Sequence, residues 1–216
     1  MKEIQGIRWN KVAQAKAKIE SGFYDDSAIV EDICRLSADS LITDIENCPN
    51  GKEHGDLYRD LVAAALCKTL GEDFDLPLVA KEFGIEGGRV DLEFPLKYES
   101  FGPGSLWEKW QRTYDLRSIV VETKNLKKKS SIEDFRQLES YIRTANRGRL
   151  GFLVSRNGFT KNALKFARNA LVSSHSVLML PVSDQDLCGL LSLSKKTKSG
   201  VATLLRRKET MLLQLA

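Results

Sequence analysis

The chain has 216 residues, of which 42% are apolar and 29% are charged, a balance typical of a soluble globular protein with one core of ordinary size. It contains no apolar run long enough to cross a bilayer and no N-terminal signal sequence, so we expect a cytoplasmic protein without a membrane partner. The four cysteines are widely spaced and only two histidines are present, which argues against a structural zinc site and a disulfide framework.

The net charge of +4 hides an asymmetry between the two halves of the chain. Residues 1–125 contain 16 Lys and Arg against 23 Asp and Glu, whereas residues 126–216 contain 17 against 6. A strongly basic half predicts a polyanionic partner such as a nucleic acid. The alternative is that the two halves neutralise one another across the fold.

Residues 1–48 are predicted to form an N-terminal helical accessory segment. An apolar stripe over residues 7–19 predicts a first helix, and residues 25–27 provide a capping sequence for a second. The second helix is predicted to carry Ile29, Ile33, Leu36 and Leu41. We interpret the segment as a docking or dimerisation element, with ordinary core packing as the alternative.

Residues 49–194 are predicted to form an α/β core, and residues 195–216 a C-terminal helix. In chain order, the core patterns are a helix from Glu53 to Leu70, an irregular acidic segment, a strand near 88–93, a loop over 95–105, a helix at 106–114, a strand at 118–125, a helix at 131–145, a strand at 149–155, a helix at 160–172, a strand at 177–180 and a helix from 184. This order predicts a central mixed sheet of four to five strands flanked by helices, with one hairpin-like strand pair and then crossovers.

Charge alternates with apolar residues in the two predicted strands around residues 88–93 and 119–125. Because side chains of a strand alternate between two faces, Glu122 and Lys124 share one face, and Asp91 lies on the charged face of the earlier strand. If the strands are neighbours, two carboxylates meet beside an ammonium group. Carboxylates that can hold a hard cation next to a lysine suit phosphodiester hydrolysis. A half-buried strand whose polar face meets water explains the same alternation without chemistry.

Four features in order resemble the PD-(D/E)XK, or restriction-endonuclease-like, nucleases over about residues 50–192. They are an opening amphipathic helix, Gly-Arg-Val-Asp ending at Asp91, a strand carrying Glu122-Thr123-Lys124, and a helix with Gln137 and Tyr141 one turn apart. The Gln-Tyr spacing and the closing segment at 176–187 are similar to Mrr-type restriction endonuclease domains. The resemblance therefore implies a restriction-endonuclease-like core.

The resemblance also implies a Mg²⁺-dependent endonuclease that hydrolyses DNA phosphodiester bonds in restriction or antiviral defence. Asp91 and Glu122 would bind Mg²⁺, for which Mn²⁺ would substitute, with the Thr123 carbonyl as a further oxygen ligand. Lys124 would orient or help deprotonate the attacking water and stabilise the phosphate. Gln137 would position phosphate or metal-bound water.

One position departs from the pattern of the family. Many relatives carry a metal-binding acid on the opening helix, and Arg59 occupies the place where that acid is expected. Glu53 is one candidate for the missing ligand because it lies one helical turn before Leu57, and Asp60 is the next. Loss of the acid would leave a weaker or single metal site.

Four basic residues that follow the strand of Glu122 and Lys124 are predicted to contact phosphate groups: Lys127, Lys128, Lys129 and Arg143. Tyr141 is assigned to the same surface, with packing as an equal alternative. The expected partner is double-stranded DNA, and double-strand cleavage suggests a homodimer or a regulatory partner subunit. The alternatives are a catalytically inactive nucleic-acid-binding or assembly module, favoured by Arg59, and an RNA-directed or DNA-repair nuclease of the same fold.

Overall fold

A computed structural model describes residues 36–82, 89–97, 103–144, 147–195 and 198–215. The helix predicted at residues 7–19, and Ile29 and Ile33 of the second helix, lie outside the described residues. In the described ranges, no helix combines the length and apolar character needed to cross a membrane.

The helices and strands follow one another in alternation through most of the described chain. The helices are α1 (Ala38–Asn47), α2 (Gly55–Leu70), α3 (Leu106–Tyr114), α4 (Ile132–Thr144), α5 (Lys161–Val172), α6 (Asp184–Ser194) and α7 (Lys198–Leu213), with a 3-10 turn (Lys52–His54) before α2. The strands are β1 (Leu78–Glu82), β2 (Arg89–Pro95), β3 (Ser118–Lys124), β4 (Leu150–Ser155) and β5 (Leu178–Ser183).

The five strands form one mixed sheet in the order β1-β2-β3-β4-β5. The first three strands pair antiparallel, whereas β3, β4 and β5 pair parallel. Helices α4 and α5 connect the parallel strands, as parallel pairing requires a crossover. The predicted α/β class and the mixed five-stranded sheet flanked by helices are therefore confirmed.

The parallel strands form the centre of the core because their sequences are almost continuously apolar. All six residues of β4 are buried, as are the first five of β3 and of β5, which is typical of strands covered on both faces. Helix α2 packs against β2 and β3, and α4 packs against β3 and β4. Polar residues of these strands are therefore confined to the strand ends, where the candidate site lies.

The strand β1 corrects the expectation that the chain is irregular after α2. It is a five-residue edge strand, antiparallel to β2, and its first residue, Leu78, is 41% exposed. The sequence Leu-Val-Ala-Lys-Glu does not alternate, so its pattern gave no strand signal. Pairing with β2 supplies the backbone hydrogen bonds that the local sequence does not predict.

A helix running through both Leu36 and Leu41 is also wrong. Helix α1 begins at Ala38, and Ser37 is its N-cap, because the Ser37 hydroxyl accepts a hydrogen bond from the Ser40 N–H at 3.2 Å. Leu41 and Ile45 are fully buried, and α1 packs against α2 and α6. The end of the segment predicted as accessory thus contributes to the hydrophobic core.

The C-terminal helix α7 is fastened to α3 by a buried carboxylate. Glu209 is 5% exposed, and it accepts hydrogen bonds from Trp110 Nε1 at 3.0 Å and the Tyr114 hydroxyl at 2.6 Å. Hydrogen bonds to a charged acceptor are stronger than neutral ones. Both predicted tryptophans of α3 are buried. Trp110 can bury its polar N–H group because that group donates to Glu209.

Candidate active site

The pairing of β2 with β3 brings the two predicted carboxylates to one end of the sheet. The register pairs Pro95 with Ser118 and ends with Leu92 opposite Val121. Beyond that last pair, Asp91 and Glu122 are the next residues of their strands. The Asp91 carboxylate acts electrostatically on both Glu122 and Lys124 and raises the pKa of each, so the three groups lie near one another.

Asp91 is held in place by the residue between the other two site residues. Its Oδ2 accepts hydrogen bonds from the Thr123 backbone N–H at 2.8 Å and the Thr123 hydroxyl at 2.7 Å. The Thr123 N–H and hydroxyl thus orient Asp91, and the role of the Thr123 carbonyl as a metal ligand stays a prediction. A carboxylate fixed in this way loses little conformational entropy when it binds a cation.

The Lys124 ammonium group lies at the centre of the cluster. Its Nζ donates hydrogen bonds to Glu122 Oε1 at 2.6 Å and to Gln137 Oε1 at 2.9 Å. Asp134 Oδ1 lies 3.9 Å away, which makes an ion pair too long for a hydrogen bond. The side chain is only 16% exposed, so the lysine is held by α4 as well as by its own strand.

Gln137 and Tyr141 are joined as the spacing on α4 suggested. Gln137 Nε2 donates to the Tyr141 hydroxyl oxygen at 2.7 Å, which fixes the orientation of the Gln137 amide with its oxygen towards Lys124. Tyr141 is partly buried and packs against the hydrophobic core. The position of Tyr141 therefore supports a role in orienting Gln137 and, through Gln137, Lys124.

Glu122 is the most electrostatically perturbed group of the cluster. Burial raises the pKa of its carboxyl to about 7, the Asp91 carboxylate acts in the same direction, and Lys124 opposes both. The side chain is buried, and among the described residues its Oε2 atom has no hydrogen-bond partner. A buried carboxylate oxygen without a partner is costly unless a proton or a cation occupies it.

The Lys124 ammonium remains charged in this setting. Burial alone lowers the pKa of Lys124, but the carboxylates of Glu122, Asp134 and Asp91 outweigh it, and the pKa is raised. A lysine with a raised pKa is a poor base at neutral pH and a good electrostatic partner for an anion. The raised pKa favours charge stabilisation by Lys124, and its predicted help in deprotonating the attacking water stays a prediction.

The residues present fit a hard cation with few protein ligands. Within the described ranges, no group of three or more His, Cys, Asp or Glu side chains could hold a metal. Asp91 and Glu122 offer two carboxylates, one of which has an unpaired buried oxygen. Mg²⁺ commonly takes one or two carboxylates and completes its shell with water and phosphate oxygens, so this donor set suits Mg²⁺ or Mn²⁺.

The opening of α2 places a cation where the family pattern has an acid. The Arg59 guanidinium donates to Asp60 at 2.9 Å and Asp56 at 2.9 Å, and its side chain is 13% exposed. Burial lowers its pKa, but Asp60, Asp56 and Asp91 together outweigh that effect and raise it. Asp60, the second candidate ligand, is engaged by Arg59. Glu53 is exposed in the 3-10 turn, where its carboxylate lies over Gly51.

The predicted phosphate-binding residues fall into two separate places. Lys127, Lys128 and Lys129 are exposed in the loop that follows β3. Arg143 lies near the far end of α4, about 16 Å along the helix axis from its first residue, where its guanidinium donates to Glu139 Oε1 at 2.6 Å. The structure therefore does not bring Arg143 to the lysine run.

Asn125 is a structural residue of the site whose role was not predicted from the sequence. Its buried side-chain amide donates to the backbone carbonyls of Pro49, Gly51 and His54 at 2.9, 3.1 and 3.2 Å, and the backbone carbonyl of Asn125 accepts from the Gly51 N–H. These bonds fasten the start of α2 to the end of β3. The only signal in the sequence was a polar residue directly after Glu122-Thr123-Lys124.

No model of a protein family matches the chain, and no curated protein is similar to it. The cluster combines two carboxylates with a charged lysine that is hydrogen-bonded to one of them, Glu122. It also leaves Glu122 Oε2 buried and unpaired within the described chain, a feature that Glu93 Oε2 shares in its ion pair with Arg147.

Proposed function

We propose that the chain is a metal-dependent nuclease that hydrolyses phosphodiester bonds of DNA at the cluster of Asp91, Glu122 and Lys124. The observation that carries the proposal is the pair formed by Lys124 and Glu122, 2.6 Å apart, in which Glu122 keeps a second oxygen buried without a partner. A bound cation can satisfy a buried carboxylate oxygen that has no partner, and the Asp91 carboxylate lies near enough to raise the pKa of Glu122.

Asp91 and Glu122 would hold the divalent cation. When bound, Mg²⁺ makes water a competent nucleophile near neutral pH and polarises the phosphoryl oxygens. The chain supplies the preorganisation: Thr123 fixes Asp91 through two hydrogen bonds. The raised pKa of Glu122 means that a proton competes with the cation for this carboxylate below about pH 7.

Lys124 would bind the scissile phosphate. An ammonium group has three donors, and two of them are used by Glu122 and Gln137. The third is available for a phosphate oxygen, where the positive charge stabilises the negative charge that develops in the transition state. Gln137, itself held by Tyr141, would keep the ammonium group in place during the reaction.

Several features support DNA as the substrate and the PD-(D/E)XK class as the family. The strand order, with antiparallel β1, β2 and β3 followed by parallel β4, agrees with the fold that the motifs imply. The basic half of the chain carries the exposed lysine run next to the site. A role in restriction or antiviral defence, and a homodimer that cuts both strands, follow from the resemblance and are part of the proposal.

The second candidate function is a nucleic-acid-binding module without catalysis. The specific observation in its favour is Arg59, which puts a guanidinium in the field of Asp91 instead of a third carboxylate. A cation at that position competes electrostatically with a metal ion. Such a module would bind nucleic acid in a salt-sensitive way and yield no metal-dependent product.

The two candidates are separated by incubating the purified protein with supercoiled plasmid DNA, single-stranded DNA and structured RNA, each with Mg²⁺, Mn²⁺ or EDTA. The nuclease proposal expects nicked or linear plasmid with either cation and intact plasmid with EDTA, because Asp91 and Glu122 act only through the metal. Salt-sensitive binding of plasmid with no product under any cation would contradict it and favour the binding module.

A further inference from the structure

Three loops meet at the carboxyl ends of β3 and β4 and form one surface, which we call the three-loop platform. It consists of residues 50–52, 125–130 and 156–161. These fifteen residues include five lysines and one arginine but no aspartate or glutamate. The lysine run at 127–129 is only part of this surface, because the other two loops each contribute a lysine, Lys52 and Lys161.

Asn157, which lies in the third loop, forms hydrogen bonds that join the first two loops. Asn157 Nδ2 donates to Asn50 Oδ1 at 3.1 Å and to the Leu126 carbonyl at 2.6 Å. Asn125 adds its bonds to Pro49 and Gly51. The position of Lys52 relative to the lysine run is therefore fixed by side-chain hydrogen bonds.

The second and third loops are joined through their backbones. The Ser130 N–H donates to the Gly158 carbonyl at 2.9 Å, and the Thr160 N–H donates to the Ser130 carbonyl at 3.0 Å. Lys129 precedes Ser130 and Lys161 follows Thr160, so this bridge joins the two loops that carry these lysines. The platform is thus a hydrogen-bonded unit, which distinguishes it from a run of solvated lysines on a mobile loop.

The platform begins one residue after the candidate catalytic lysine. Asn125 follows Lys124 directly, and the Arg156 N–H donates to the Lys124 carbonyl at 3.2 Å. The platform therefore adjoins the candidate catalytic lysine both along the chain and through a backbone hydrogen bond.

The five lysines are available to an external anion. All are exposed, and among the described residues none of them forms an ion pair or a side-chain hydrogen bond. Among the nearby acids, Glu133 pairs with Arg136 and Asp134 binds the Ser131 N–H. Glu53, which follows Lys52, has its carboxylate over Gly51 and, within the described ranges, forms no ion pair with these lysines. Arg156 differs from the lysines, since its guanidinium binds the Ile45 and Glu46 carbonyls at the end of α1.

We propose that the three-loop platform binds the phosphate backbone of the DNA segment that extends from the active site. Lys52 and Lys161 would contact its phosphates. The inference rests on the proposed function for the identity of the ligand, and it extends the binding surface to two residues on loops distant in sequence. Lysines that contact phosphates release condensed counterions, so binding weakens as salt rises in proportion to the number of contacts.

The test compares wild-type protein with the double variant Lys52→Ala/Lys161→Ala. Binding of a fluorescent duplex DNA is measured by anisotropy in EDTA, which prevents cleavage, over a series of KCl concentrations. The slope of log K against log salt is expected to become shallower by about 2, because each lost phosphate contact removes roughly 0.9. An unchanged slope would overturn the proposal.

The matched control is the double variant Lys68→Ala/Lys109→Ala, which removes the same charge from exposed positions elsewhere. Lys68 lies in the last turn of α2, about 20 Å along the helix from its first residue, and Lys109 lies on α3, which leads into the opposite end of β3. This control is expected to keep the wild-type slope. An equal loss in both double variants would also overturn the platform.

Failure of the platform can be distinguished from failure of the nuclease proposal. A wild-type protein that cuts plasmid with Mg²⁺, while Lys52→Ala/Lys161→Ala keeps the full salt dependence, would remove the platform and leave the nuclease. A selective loss of slope in that variant, without cleavage by the wild type, would uphold the platform as a DNA-binding surface and remove the nuclease.

Discussion

Replacement of Glu122 by Gln is expected to abolish metal-dependent cleavage, with a loss of rate of roughly 1000-fold or more. The amide keeps the size of the side chain and removes the negative charge that would bind the cation. It also replaces the charged partner of Lys124, whose Nζ lies 2.6 Å from Glu122 Oε1, with a neutral acceptor. The measurement is the rate of plasmid nicking with Mg²⁺ and with Mn²⁺.

The control for this change is Glu108→Gln, a carboxylate on α3 that pairs with Arg112. It is expected to cleave at the wild-type rate. A Glu122→Gln variant with that rate would remove Glu122 from the site.

The same variant should reveal the energetic cost of the buried carboxyl. The pKa of Glu122 in the fold is about 7, above its ordinary value of 4.5, so the folded state binds the proton more tightly than the unfolded chain. The free energy of unfolding in EDTA therefore falls as pH rises between these values, by an amount on the order of 3 kcal/mol. Glu122→Gln should show a smaller decrease, which denaturation at pH 5 and pH 8 would reveal.

Replacement of Lys124 by Ala is expected to reduce cleavage by roughly 100- to 1000-fold while leaving the divalent cation bound. The ammonium group is needed for the phosphate and not for the metal, and its removal frees Glu122 from a competing ion pair. Cleavage and Mn²⁺ affinity should be measured on the same preparation. Circular dichroism verifies the fold.

The control is Lys109→Ala, which removes an exposed lysine of α3 and is expected to change neither quantity. Loss of Mn²⁺ binding together with cleavage in Lys124→Ala would show that the lysine supports the metal site instead of the phosphate. Retention of full activity would remove Lys124 from the mechanism.

Local sequence was sufficient for several of the helices. The helix predicted at 106–114 has those bounds as α3, and Thr160 and Ser183 cap the helices expected after them. Alternating charge in two strands marked Asp91, Glu122 and Lys124 as candidates, and the resemblance to the PD-(D/E)XK nucleases gave them their predicted roles. Antiparallel pairing of β2 with β3 then brings them together.

What the sequence did not predict depends on contacts between distant parts of the chain. Strand β1 exists because β2 offers an edge, and α1 starts at Ala38 because Ser37 caps it and α2 and α6 cover it. The bonds of Asn125 and Asn157 join loops more than 30 residues apart. Lys52 and Lys161 belong to the same surface as the lysine run only because such bonds join their loops. Patterns in local sequence therefore could not have grouped them.

The proposed roles of acidic and basic residues also agree with the uneven charge of the two halves of the chain. Acidic residues of the first half hold the site, where Asp91 and Glu122 would bind the cation and Asp56 and Asp60 hold Arg59. Basic residues on the loops around the site would hold the phosphates. A polyanion can approach an acidic site only if a cation and a basic surface offset the repulsion.

Mn²⁺ binding followed by electron paramagnetic resonance tests most directly whether Asp91 and Glu122 share a divalent cation. Wild-type protein is expected to bind Mn²⁺ more tightly as pH rises through about 7, where Glu122 loses its proton. Asp91→Asn and Glu122→Gln should each weaken binding by at least about tenfold, and Glu108→Gln should not. Equal Mn²⁺ binding by wild-type protein and both site variants would contradict a shared metal site.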